Sequence, residues 1–239
     1  MTAISNALGQ PVGVPVPGWT ERSRPPRTPI EGRYTRIEPL SLQHAAELHA
    51  ANAADTTGGM WTYMGYGPFA SLADYRQWVT TTGSGDDPLF HAIIDRTTGR
   101  ASGVASLMRI DTKNGVIETG HIAYAPALQK TRAATESVYL LMRRVFEELG
   151  YRRYEWKCDA SNAPSRRAAE RLGFTFEGVF RQAMIYKGRN RDTAWFSIID
   201  AEWPALKAAY DAWLDPMNFD ASGQQRQALG SLTANALGR

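Results

Sequence analysis

Seven consecutive residues, Gln129-Lys130-Thr131-Arg132-Ala133-Ala134-Thr135, lie between a strand-like run ending at Tyr124 and the most regular helical pattern in the chain. Their types suit the holding of an anion. The first four amides of a helix have no internal partner, and the helix dipole is positive at that end. A strand feeding a helix start therefore offers consecutive N–H groups to a ligand. Ala133, Ala134 and Thr135 are small enough to let a ligand reach the backbone, and Lys130 and Arg132 add positive charge. A pyrophosphate fits such a place; a plain helix start with a charged first turn fits the same residues. Two proton-accepting side chains precede the loop, Glu118 and His121. Simple strand alternation puts Glu118 on one face with Gly120, Ile122 and Tyr124 and turns His121 to the other, so at most one of the two faces a substrate. Beyond the loop, Asn162 and Ser165 open a short helix as capping residue and first-turn hydroxyl.

The elements that position these residues follow from periodicity. "GVIETGHIAY" (115–124) reads as a strand joined through a "TKNG" turn to "ASGVASLMRID" (101–111), itself the partner of "LFHAIID" (89–95). After the loop, Ala134, Val138, Leu141, Val145 and Leu149 recur at helical spacing, and Gly150 ends the run. "YRRYEWKCD" alternates Tyr154, Trp156 and Cys158 against Arg153, Glu155 and Lys157. "NAPSRRAAERLGF" is a short helix stopped by Gly173; two strands about "GRNR" and the amphipathic helix "PALKAAYDAWL" follow. Upstream, "GRYTRIEPL" (32–40) reads as the first strand. "SLQHAAELHAAN" is a helix capped by Ser41, and "SLADYRQWVTTT" a helix capped by Ser71 with Asp74 completing a capping box. "GGMWTYMGYGPFAS" (58–71) between those helices has glycines and aromatics but no period.

The 239 residues, 43% hydrophobic and 21% charged, describe an ordinary globular chain able to bury a sizeable core. Six of the thirteen prolines fall in the first 29 residues, so 1–30 is expected to be an extended arm, disordered or draped over the domain. The domain proper is expected over 31–203, with a C-terminal helix and polar tail over 204–239. A net charge of +3 without a stripe of Lys/Arg and interleaved aromatics argues against nucleic-acid binding. The single cysteine, Cys158, rules out an internal disulfide and suits a cytoplasmic setting; it reads as a buried structural thiol. No apolar run approaches a membrane span, and no signal-peptide core precedes the domain. The histidines show no metal-ligand spacing, so no metal is expected.

The loop resembles the Q/R-x-x-G-x-G/A signature of the GNAT acetyltransferases, read as Gln129-x-x-Arg132-x-Ala134, and "ATES" continues it as in the RimJ/RimL-like branch. "NAPSRRAAERLGF" resembles that branch's second element through Asn162, Ser165, Ala169, Gly173 and Phe174, followed by Glu177-Gly178. The order β, α, α, β, β, β, α, β, α, β, β over about residues 32–200 is also similar. The resemblance implies an α/β (α+β) GNAT fold: a mixed, mostly antiparallel twisted sheet of about seven strands, flanked by helices and splayed where acetyl-CoA binds. Arg132 departs from the signature by replacing its first glycine. It is costly if that position needs positive φ and tolerable, with a phosphate contact to offer, if it is already helical.

What the resemblance implies about chemistry is acetyl transfer from acetyl-CoA to a primary amine, either a protein N-terminus or a small molecule. The pantetheine arm would pair with Ile122, Ala123 and Tyr124, and the pyrophosphate would lie over Gln129, Lys130, Thr131, Arg132, Ala133, Ala134 and Thr135, with Asn162 on the pantetheine. Glu118, eleven residues before Gln129, matches the spacing of the base in histone-type members, with His121 as competitor. Ser165 matches the serine assigned to the leaving thiolate in RimL-like members, whereas Ala169 stands where many members have a tyrosine acid and Met184 where the RimL-like glutamate falls. Trp61, Tyr63, Tyr66 and Phe69 are candidates for the acceptor pocket or, equally, a hydrophobic mini-core. A homodimer is one open arrangement. From another class, the alternative is a catalytically silent acyl-CoA-binding or regulatory module.

Overall fold

A computed structural model describes residues 4–239. After a small hairpin, β1 (Ile4–Ser5) with β2 (Pro11–Val12), the chain builds an eight-stranded sheet from β3 (Ile30–Glu31), β4 (Thr35–Pro39), β5 (Leu89–Asp95), β6 (Arg100–Asp111), β7 (Val116–Tyr124), β8 (Arg153–Asp159), β9 (Thr175–Tyr186) and β10 (Arg189–Ile199). The spatial order is β3-β4-β5-β6-β7-β8-β10-β9. Every neighbouring pair is antiparallel except β7 and β8. The eighth strand arises because the first expected strand is a hairpin: Ile30 pairs with Ile37, and the chain turns at Gly32–Tyr34. That turn is held from below by Glu136, whose carboxylate accepts the amides of Arg33, Tyr34 and Thr35 at 2.8, 2.6 and 2.7 Å.

Helices cover both faces. α1 (Ala45–Asn52) and α2 (Leu72–Trp78) lie on one, over a core of Leu48, Tyr75, Trp78, Phe90, Val104 and Ala123. The Ser71–Asp74 capping box starts α2 as its sequence predicts, with Ser71 Oγ accepting the Asp74 amide at 3.1 Å. On the other face lie α3 (Arg132–Arg143), α4 (Ala163–Arg171), α5 (Trp203–Leu214) and α6 (Leu229–Ala236), over Ile37, Ile93, Leu107, Ile117, Tyr154, Phe174 and Phe196. α3 is buried on nearly every side, not only along its apolar stripe. α5 covers its outer flank, where Tyr139 stacks on Tyr210 with centroids 5.2 Å apart. The expected polar tail is also corrected. Leu229, Leu232, Thr233 and Leu237 recur at helical spacing, and α6 closes the far end of this layer, with the Thr233 hydroxyl donating to Arg171 O at 3.1 Å.

The arm lies against the domain over its second half. Trp19 Nε1 donates to Lys113 O at 2.9 Å, with Arg22 stacked on its ring at 4.3 Å, and the Tyr151 hydroxyl donates to Ser23 O at 3.1 Å. Arg144, itself buried, donates to Thr28 O at 2.8 Å. No helix of the described residues is long and apolar enough to cross a membrane.

Candidate active site

The parallel pairing of β7 and β8 stops at Thr119↔Trp156. Beyond it, Gly120–Tyr124 and Lys157–Asp159 are not paired with one another, and the sheet opens into a cleft. The cause is local. Ser106 faces Gly120 and Val104 faces Ala123, so His121 and Ile122 together oppose Ala105 in a β-bulge, with His121 at φ 51°. A bulge bends its strand and ends regular pairing. It also shifts the alternation by one residue, which corrects the expected faces. His121 lies on the same face as Glu118, packed on Phe90 and Tyr66 at centroid distances of 4.9 and 5.5 Å. Ile122 and Tyr124 point instead to the α3 side. Burial first, then the charges of Arg109 and Arg191, push the imidazole pKa down to about 4. His121 is therefore neutral at neutral pH and a weak proton acceptor.

A second bulge aims a cation at Glu118. Met108 faces Glu118 and Asp111 faces Val116, leaving Arg109 (φ 49°) and Ile110 outside the ladder, their amides accepted by Asp87 at 2.7 and 3.0 Å. Arg109 reaches Glu118 Oε2 at 2.8 Å, and Lys157 reaches the same oxygen at 3.0 Å. Lys157 continues to Glu155 at 2.6 Å, Glu155 to Arg153 at 2.7 Å, and Arg153 to Glu177. Glu118 is 4% exposed, so this ladder compensates its burial. Among the described residues its other oxygen, Oε1, has no partner; it lies beside Gly120, where an added Cβ would stand 3.5 Å from it. The Arg153/Glu155/Lys157 side of β8 was visible in its alternation. The aim of Arg109 was not, because only the bulge creates it.

At the wide end of the cleft the loop is tighter than expected. Lys130 takes the left-handed conformation (φ 62°) and Thr131 caps α3, its Oγ1 accepting the Ala134 amide at 3.1 Å. Arg132 is the first helical residue, so the missing signature glycine costs no strain here. Its side chain does not extend over the loop: the guanidinium lies 4.9 Å from the Tyr34 ring and 4.6 Å from that of Phe219. The Thr131, Ala134 and Thr135 amides have internal acceptors. Among the described residues those of Lys130, Arg132 and Ala133 have none. Gln129 Nε2 donates back to Tyr124 O at 2.8 Å and the Tyr124 hydroxyl meets Ser137 Oγ at 2.7 Å, which ties loop, strand and helix together.

Asn162 caps α4, its Oδ1 accepting the Ser165 amide at 3.1 Å. Ser165 Oγ accepts Trp156 Nε1 at 3.0 Å, which leaves its proton to donate. Burial pushes the neighbouring Cys158 thiol pKa up. The aromatic segment divides. Trp61 and Phe69 are packed edge to face at 5.5 Å in a cluster with Tyr75 and Trp78, and Trp61 is buried. Tyr66 stacks on His121, and the Tyr63 hydroxyl donates across to Ser161 O at 3.2 Å. Through their side chains these last two reach the cleft's other elements, while Trp61 does so through its carbonyl, which accepts Lys187 Nζ at 2.8 Å. Among the described residues no group of His, Cys, Asp and Glu is arranged to hold a metal ion.

A family profile described as an acetyltransferase (GNAT) domain matches residues 35–175. A solved GCN5-related N-acetyltransferase from Brucella melitensis is 52% identical, with a TM-score of 0.89 over 91% of this chain and 99% of its own. A solved GNAT-family acetyltransferase from Chromobacterium violaceum ATCC 12472 is 39% identical, with a TM-score of 0.76 over 82% of this chain and 98% of its own. The Bacillus subtilis (strain 168) protein YdaF, provisionally named a ribosomal N-acetyltransferase, is 25% identical over 178 residues, 72% of this chain and 92% of its own.

Proposed function

Because the chain belongs to the GNAT acetyltransferases, whose donor is acetyl-CoA, we propose that it acetylates a primary amine in the cleft between β7 and β8. The observation that carries this reading is the cleft itself: β7 has no partner on its β8 side over Ile122, Ala123 and Tyr124, and leads to the unpartnered amides of Lys130, Arg132 and Ala133. That set fits an extended amide-bearing chain ending in a diphosphate. Acetyl-CoA would supply the activated thioester there. Glu118 is anchored through Oε2 and presents Oε1 beside Gly120, where it takes the amine's proton directly or through a water. The Ser165 hydroxyl hydrogen-bonds the departing sulfur. Tyr63 and Tyr66 line the acceptor's approach. YdaF's provisional name supports a protein amine as acceptor and, with the lone cysteine, a cytoplasmic setting.

The experiment is thiol release from acetyl-CoA across a panel of N-terminal peptides and small amines, with mass spectrometry of the acceptor. The expected result is one acetyl group on the amine per thiol released. Tight acetyl-CoA binding with no turnover on any amine would favour a silent binding module and contradict the proposal.

A further inference from the structure

β10 carries a cation that no carboxylate answers. On the cleft face of this strand Arg191, Thr193 and Trp195 succeed one another at spacing two, and Thr193 and Trp195 pair with Asp159 and Lys157 of β8. Four other cations of this face are engaged, whereas Arg189, two residues before Arg191, is exposed at the end of the strand. Arg109 and Lys157 hold Glu118, Lys157 also holds Glu155, and Arg153 spans Glu155 and Glu177. Lys187 donates to Trp61 O at 2.8 Å. Asp159, the nearest acid on β8, is occupied by the Tyr186 hydroxyl and the Ser161 amide, each at 2.8 Å.

Arg191 differs. Its Nε donates to Thr193 Oγ1 at 3.2 Å, on a buried threonine, and its guanidinium lies 6.0 Å from the Tyr186 ring. Among the described residues it has no salt bridge, and its two terminal nitrogens have no acceptor. The side chain is half-buried, so leaving it unanswered forfeits solvation that a paired charge would replace. A guanidinium oriented through Nε with both terminal nitrogens open is the fork that grips a carboxylate or phosphate in two parallel hydrogen bonds.

We propose that Arg191 is a specificity-determining residue that binds an anionic group, a carboxylate or phosphate, carried close to the reacting amine of the acceptor. The assignment rests on the acetyltransferase reading above, since it places the acceptor on the face shared by Arg191, His121 and Glu118. The charges of Arg109 and Arg191 bear on His121 as well, lowering its proton affinity after the larger effect of burial, which places Arg191 close to the same part of the cleft.

Two matched acceptor pairs separate the sources of the anion: the amidated peptides Ser-Glu-Ala and Ser-Gln-Ala, and β-alanine against β-alaninamide. Calorimetric binding to the coenzyme A-saturated protein reads Arg191 whether or not the acceptor is turned over, and kcat/KM is measured alongside. The acidic member of at least one pair is expected to bind about 10-fold tighter, which a charge-assisted hydrogen bond supplies. Arg191→Gln should reduce that preference to within about 2-fold, leave the neutral member and coenzyme A affinity unchanged, and Arg191→Lys should restore part of it. Equal binding of both members of both pairs by the unmodified protein would overturn the inference. So would an equal loss for acidic and neutral members in Arg191→Gln. Turnover of neutral amines in either case would leave the acetyltransferase reading standing.

Discussion

Glu118 concentrates the residue-scale argument. Its carboxylate is buried, held at one oxygen by Arg109 and Lys157, and open at the other. The two cations fix its direction, and a base must first be in reach of its proton. Glu118→Gln keeps the shape and removes the proton acceptor. Turnover should fall by ~10² to 10⁴-fold with acetyl-CoA affinity retained, because the loop amides are untouched. Steady-state rates and calorimetry on the same preparation check this. Near-normal turnover in Glu118→Gln, with a large loss in His121→Ala, would transfer the role to the imidazole on the same face. The serine and asparagine of α4 are more constrained than their types suggested. Asn162 spends its carbonyl on the helix cap, and the Ser165 oxygen already accepts the Trp156 indole.

At the scale of elements, the strands and helices were legible because their apolar residues recur at clear periods, and the Ser71–Asp74 and Gly150 signals fell where the chain turns. The order of elements from β4 to β10 follows the sequence reading. What was not legible came from backbone exceptions. The bulges at Arg109 and His121 put ordinary L-residues at positive φ, a conformation residue type does not announce; the first aims Arg109 at Glu118 and the second moves His121 to the face of Glu118. A third such residue, Lys130, makes the loop's turn, two residues before the Arg132 that departs from the signature. α6 was obscured because its few leucines sit among Ser, Gln and Gly, and its stability comes from docking on α4 and α5. The division of the aromatic segment depended on packing: nothing in "MWTYMGYGPF" separates the buried Trp61 from the cleft residues Tyr63 and Tyr66.

For the whole molecule, two histidines make stability depend on mild acid. Burial pushes His91, fully buried on β5, down to about 3 and His121 to about 4. Both folded values lie below the ordinary 6.5, so the unfolded chain binds more protons on the acid side. Their contribution is complete above about pH 6.5 and is lost progressively as the pH falls towards the folded values. Thermal melts should show Tm dropping between about pH 6.5 and 4, and His91→Leu should flatten that slope. An unchanged slope would remove His91 from the account.

The cleft and its amide loop carry the central claim, and Arg132 allows it to be tested with little disturbance of the fold. It is the first residue of α3, where proline is well tolerated, and Thr131 before it is extended (φ −89°, ψ 166°), as a residue preceding proline must be. Arg132→Pro removes one loop amide, and Arg132→Ala removes the same side chain while keeping that amide. The measurement is the acetyl-CoA dissociation constant of the two variants by calorimetry. If the loop amides grip the diphosphate, Arg132→Ala should bind within a few-fold of the unmodified protein, and Arg132→Pro about 10- to 100-fold more weakly, as the loss of a charge-assisted hydrogen bond requires. Equal affinities for the two variants, with both folded by their melts, would contradict the placement of the diphosphate on these amides.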